Sequence, residues 1–120
     1  MKLFDLSILA ILSYTTTVQC GCFDETSPLG NPSLAVPAIP NLCKNMVGVY
    51  APKAPIYSCH YMGQIPYEVW VASLAPNNIT LTMNQCVQYL KPALECQRGG
   101  EFTYNGLWRI GASINISPCG

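Results

Sequence analysis

From Trp108 onward apolar and polar residues alternate, with Trp108, Ile110, Ala112, Ile114 and Ile116 on one side and Arg109, Gly111, Ser113, Asn115 and Ser117 on the other. A period of two predicts a strand with a core on one face and water on the other. Just before it stands Tyr104-Asn105-Gly106-Leu107. An Asn-Gly pair accepts φ > 0 at both turn positions, so it predicts a two-residue hairpin with a strand on each side. Upstream the period changes. Met83, Cys86, Val87, Leu90 and Leu94 recur at i, i+3, i+4, i+7 and i+11, and Thr82 with Gln85 makes a capping box, which together predict an amphipathic helix. Pro92 lacks an amide proton and crowds the carbonyl of Gln88, so the helix is expected to end near Lys91 or to kink before Glu95. Gly99-Gly100 then breaks it.

Earlier strand signals lie at Tyr67 to Leu74, between Pro66 and Pro76, and more weakly at Met46 to Ala51 and Ile56 to Met62. Six of the ten prolines fall between Pro28 and Pro55, which disfavours a long helix or a central strand there. This stretch reads as an extended wrap over residues 21–55, pinned by Cys22 and Cys43 to a core at 56–120. The order of elements predicts one α+β domain, an antiparallel sheet with a helix packed on one face.

Residues 1–20 read differently. Lys2, an apolar run from Leu6 to Leu12, a polar stretch and Val18-Gln19-Cys20 follow the charged, apolar, small-residue order of a secretory signal peptide. Asp5, Ser7 and Ser13 interrupt the run well short of the roughly 20 apolar residues of a membrane span. Seven cysteines are present, and cleavage after Cys20 leaves six: Cys22, Cys43, Cys59, Cys86, Cys96 and Cys119. In an oxidising compartment six cysteines in a small domain read as three disulfides, with 15 possible connectivities. Each contributes roughly 2–4 kcal/mol, chiefly by restricting the unfolded chain. Metal binding is the weaker reading, because no pair has zinc-knuckle spacing and the neighbours Cys59 and His60 are awkward joint ligands. The expected localisation is extracellular.

The formal net charge is zero, and Lys44, Lys53, Lys91, Arg98 and Arg109 are scattered, which argues against nucleic-acid binding. Asn78-Ile79-Thr80 is a glycosylation sequon in a turn after Pro76-Asn77. Asn115-Ile116-Ser117 is a second one, disfavoured by Pro118 and by its strand position.

Candidate catalytic chemistry is sparse. The only histidine, His60, could join Glu68 and Arg109 in a minimal ribonuclease set of acid, base and guanidinium, yet nothing in the sequence brings them together. Paired cysteines leave no thiolate nucleophile. No Gly-rich phosphate loop opens a helix. No catalytic residue, cofactor or metal is therefore assigned, and the chain is expected not to be an enzyme. Tyr50, Tyr57, Tyr61, Tyr67 and Trp70 make an aromatic-rich stretch that is either core and sheet surface or a face for a ligand or carbohydrate.

Tyr67-Glu68-Val69-Trp70-Val71, the helix around Asn84-Gln85-Cys86-Val87, and Gly106-Leu107-Trp108-Arg109-Ile110-Gly111-Ala112 resemble secreted fungal proteins related to the smut-virus killer toxin called killer protein six. Many of these are effectors of plant-pathogenic fungi. The resemblance covers about the C-terminal half and implies a small disulfide-tied α/β sandwich. The chain departs from it in having no clear first helix and no dibasic processing pair. Secretion signal, cysteines, neutral charge and sparse chemistry lead to the expectation of an effector-like protein that binds an extracellular host protein or glycan. The alternatives are a killer-type toxin acting on membranes of competing fungi and a weak secreted ribonuclease.

Overall fold

The alternating segment forms β7 (Trp108–Ile114), the central strand of a five-stranded antiparallel sheet in a computed structural model that describes residues 21–119. The expected signal peptide lies outside the described residues. On one side β7 pairs with β4 (Ile65–Ser73), which pairs with β3 (Ile56–Met62). On the other it pairs with β6 (Gly100–Tyr104), which pairs with the short β1 (Gly21–Cys22). The turn between β6 and β7 has the predicted positive φ, 55° at Asn105 and 66° at Gly106, but is one residue longer than the expected two-residue hairpin: Tyr104 pairs with Trp108, Leu107 joins the loop, and its amide donates to the Tyr104 carbonyl. A second sheet of two strands, β2 (Gly48–Tyr50) with β5 (Ile79–Leu81), lies beside the first, and Tyr50 packs edge-on to Trp108.

Helix α3 (Met83–Glu95) covers one face of the large sheet through β6 and β7. Its capping box is formed: Thr82 Oγ1 accepts from the Gln85 amide and Gln85 Oε1 accepts from the Thr82 amide. Of the two expectations at Pro92, the end near Lys91 is not met: Pro92 lies inside the helix, which runs on to Glu95. Ala93 and Leu94 beyond it are fully buried and Cys96 is bridged to Cys22, so stopping at Lys91 would uncover apolar surface. Met83, expected on the buried stripe, is exposed in the first turn.

The proline-rich stretch corrects the extended wrap. It coils into α1 (Pro32–Ala35), a 3₁₀ turn (Val36–Ala38) and α2 (Ile39–Lys44). Pro32, Pro37 and Pro40 each occupy a first-turn position, where the missing N–H has no helical partner to lose. Asn31 caps α1 by accepting from the Ser33 amide. Ala35, Ile39, Leu42, Cys43 and Met46 then enter the same core as Tyr67, Val69, Val71, Leu90, Leu94, Trp108 and Ile110. The result is a helical layer on one side of an antiparallel sheet, an α+β sandwich.

Three disulfides hold the layers: Cys22 to Cys96, Cys43 to Cys86, and Cys59 to Cys119. The first two join the N-terminal part to α3 and its end. The third fastens the C-terminal tail to β3. That tail also corrects the alternation, since β7 ends at Ile114 and Ile116 is 90% exposed where the chain bends toward Cys59. Among the described residues no helix is long and apolar enough to cross a membrane.

Candidate functional site

Directly paired residues of antiparallel strands point to the same side. The register therefore sorts the large sheet into two faces. Tyr67, Val69 and Val71 of β4 and Trp108, Ile110 and Ala112 of β7 face the helices and are buried. On the opposite, helix-free face one row crosses four strands: Tyr57 of β3, Trp70 of β4, Gly111 of β7 and Glu101 of β6.

Gly111 is what lets this row close up. A Cβ built there would stand 2.5 Å from Trp70 Cζ2, so the indole lies over the bare backbone of β7. From that position Trp70 Nε1 donates to Glu101 Oε2 at 2.8 Å, two strands away. Gly111 is buried, not water-facing as its alternation suggested. Tyr57, on the edge strand, inclines at 40° to the indole with ring centroids 6.0 Å apart. In the next row Ala72 pairs with Arg109, and Arg109 with Thr103. Lys53, at φ 56°, donates its amide to the Ser73 carbonyl and brings the loop before β3 alongside. The outcome is a groove of about 290 Å³, lined by Lys53, Tyr57, Trp70, Glu101 and Arg109 with Pro55, Ala72 and Leu74 between them. Two cations and one carboxylate share an aromatic floor.

The proposed ribonuclease set does not assemble. His60 pairs with Tyr67 and so takes the helix side, 2.8 Å from the Ser58 hydroxyl. Glu68 pairs with Cys59 and Ser113 on the open side, where Arg109 also stands. The sheet lies between the imidazole and the other two groups.

The aromatic stretch divides by the same rule. Tyr50 and Tyr67 are core residues whose phenols burial pushes up; Tyr67 Oη accepts from the Asn31 amide and Tyr50 donates to the Met46 carbonyl. Tyr57, Tyr61 and Trp70 share the open face, but Tyr61 accepts from the Cys119 amide and belongs to the tail. Asn78 is exposed in the loop before β5. Asn115 donates its main-chain N–H to the Pro66 carbonyl and sits with Nδ2 3.4 Å from Cys59 Sγ, against the third disulfide.

A second depression, of about 340 Å³, lies at the β1 edge between Asp24, Glu25, Glu95 and Arg98. Its polar groups fold the segment back on the body: Arg98 donates to the Glu25 and Ser27 carbonyls. Asp24 accepts from the Thr26 hydroxyl and amide, which holds its carboxyl below the usual range. The open-face groove is thus the candidate site.

Sequence reasoning found Tyr57, Trp70 and Arg109 but missed Lys53 and Glu101. Counting outward from a two-residue Asn105-Gly106 turn sets Glu101 opposite Ile110 on the buried side, and only the third loop residue, Leu107, brings it opposite Gly111 on the side of Arg109; nothing local signals Lys53. The chain matches no protein-family model and no curated protein.

Proposed function

We propose that this protein is secreted and acts outside the producing cell, without catalysis, by binding an extracellular target through the open face of its sheet. The observation that carries this reading is the Tyr57–Trp70 groove, a pre-set aromatic and charged surface on the one face that no helix covers. Flat rings held in place bind partners at small entropic cost. Three disulfides accord with an oxidising compartment, and the resemblance to killer-protein-six-related effectors points the same way.

The test is retention of host extracellular proteins or glycans on immobilised oxidised protein. Specific retention that is lost with Tyr57→Ala is expected. Recovery of the same material on a scrambled-disulfide control would overturn the reading. Dye leakage from fungal cells treated with the oxidised protein alone would replace it by the membrane-toxin one.

A further inference from the structure

Resting on that reading of the open face, we infer that the groove takes an acidic oligosaccharide, a chain of uronic acids. The aromatic floor is already fixed, because Gly111 beds the indole and Glu101 holds its Nε1. Sugar rings present flat C–H faces that pack on such a floor, with little side-chain freedom left to lose.

The charges define the class further. The lining carries Lys53 and Arg109 against the single carboxylate of Glu101, although the whole chain is formally neutral. This local excess favours an anion, and a guanidinium recognises a planar carboxylate with two parallel hydrogen bonds. Glu101 already accepts from Trp70 Nε1, and a carboxylate, with about four acceptor sites, takes a sugar hydroxyl in addition. A uronic acid offers hydroxyls, a carboxylate and a flat C–H face on one ring, whereas an acidic peptide offers carboxylates and backbone N–H donors without that ring face, and a neutral sugar offers no carboxylate. The groove, at about 290 Å³, stands at the bottom of the roughly 300–1,000 Å³ range of sites that enclose a whole ligand. It suits one stretch of a longer chain lying along the sheet.

The experiment is a titration of the oxidised, secreted chain followed through its indole resonances. The probes are hexamers of galacturonate and of alginate uronates, with maltohexaose, a hexaglutamate peptide and a short RNA for comparison. The uronates are expected to move the Trp70 Nε1 resonance and leave that of buried Trp108 in place. Binding should weaken with salt, and by about tenfold or more in Arg109→Gln and in Tyr57→Ala, as loss of a charge-assisted or stacking contact requires. Both side chains are exposed, and an unchanged Trp108 resonance shows that each variant is folded. No Trp70 shift with uronates at millimolar concentration, equal binding of maltohexaose, or tighter binding of the peptide or RNA would overturn the inference. If uronates fail while Tyr57→Ala still abolishes retention of an extracellular target, the open face binds another class: the proposed function stands and this inference falls.

Discussion

Tyr104 stacks on Tyr89 with ring centroids 4.2 Å apart and planes 11° from parallel, and its hydroxyl donates to the Tyr89 carbonyl at 2.8 Å. The contact clamps the end of β6 to the middle of α3. Burial first, and the neighbouring Tyr89 second, push the Tyr104 phenol up to about 12.

That shift sets an alkaline limit on stability. An unfolded tyrosine loses its proton near pH 10, so between about pH 10 and 12 the unfolded chain releases a proton that the folded chain keeps. Stability from this group is complete below pH 10 and falls as pH rises through that window. Burial raises Tyr50 and Tyr67 in the same direction. Denaturant midpoints measured across this range should fall above pH 10, and Tyr104→Phe should make the fall shallower while costing about 1 kcal/mol at neutral pH for the lost hydrogen bond. An equally steep fall in Tyr104→Phe would refute the assignment.

Gly111→Ala should lift Trp70 off the sheet. The added methyl would meet a rigid ring on one side and the Gly100 carbonyl oxygen at 2.8 Å on the other, so neither neighbour yields easily. We expect a loss of about 1–3 kcal/mol, as for overpacking elsewhere, together with loss of the Trp70 Nε1 bond to Glu101. Chemical unfolding and amide exchange at the indole measure the two effects. A variant of wild-type stability with a protected Trp70 Nε1 would show that the close fit is not required.

Elements with a local signal were legible in the sequence. Thr82 with Gln85, Asn105 with Gly106, and the alternation after Trp108 each fixed an element because cap, turn and face are set by residues a few positions apart. The helices within Pro32–Lys44 are hidden by their prolines, which break a helix interior but fit its first turn. A usable signal was present: Ala35, Ile39, Leu42 and Cys43 stand at i, i+4, i+7 and i+8, after an Asn31 cap. The groove was less legible. It depends on Trp70 meeting Gly111 and Glu101 across two strand pairings, and a register of that kind is written in no local stretch.

Glycosylation should separate the two sequons. Asn78 is exposed, whereas Asn115 has its main-chain amide tied to the Pro66 carbonyl and its Nδ2 against the Cys59 sulfur, so the protein expressed through a secretory pathway should carry a glycan at Asn78 alone. Intact mass before and after enzymatic deglycosylation checks this. Asn78→Gln should abolish the mass difference and Asn115→Gln leave it unchanged; a glycan surviving in Asn78→Gln would contradict the expectation.

The bridges cross as well as nest. Cys22–Cys96 encloses Cys43–Cys86, while Cys59–Cys119 starts inside both loops and ends outside them. Every peptide bond from Cys22 to Cys119 is therefore spanned by at least one covalent link besides the backbone. A protease that nicks any exposed loop once leaves two fragments still fastened together and packed on one core, so in a protease-rich surrounding a single cut does not release a piece of this molecule.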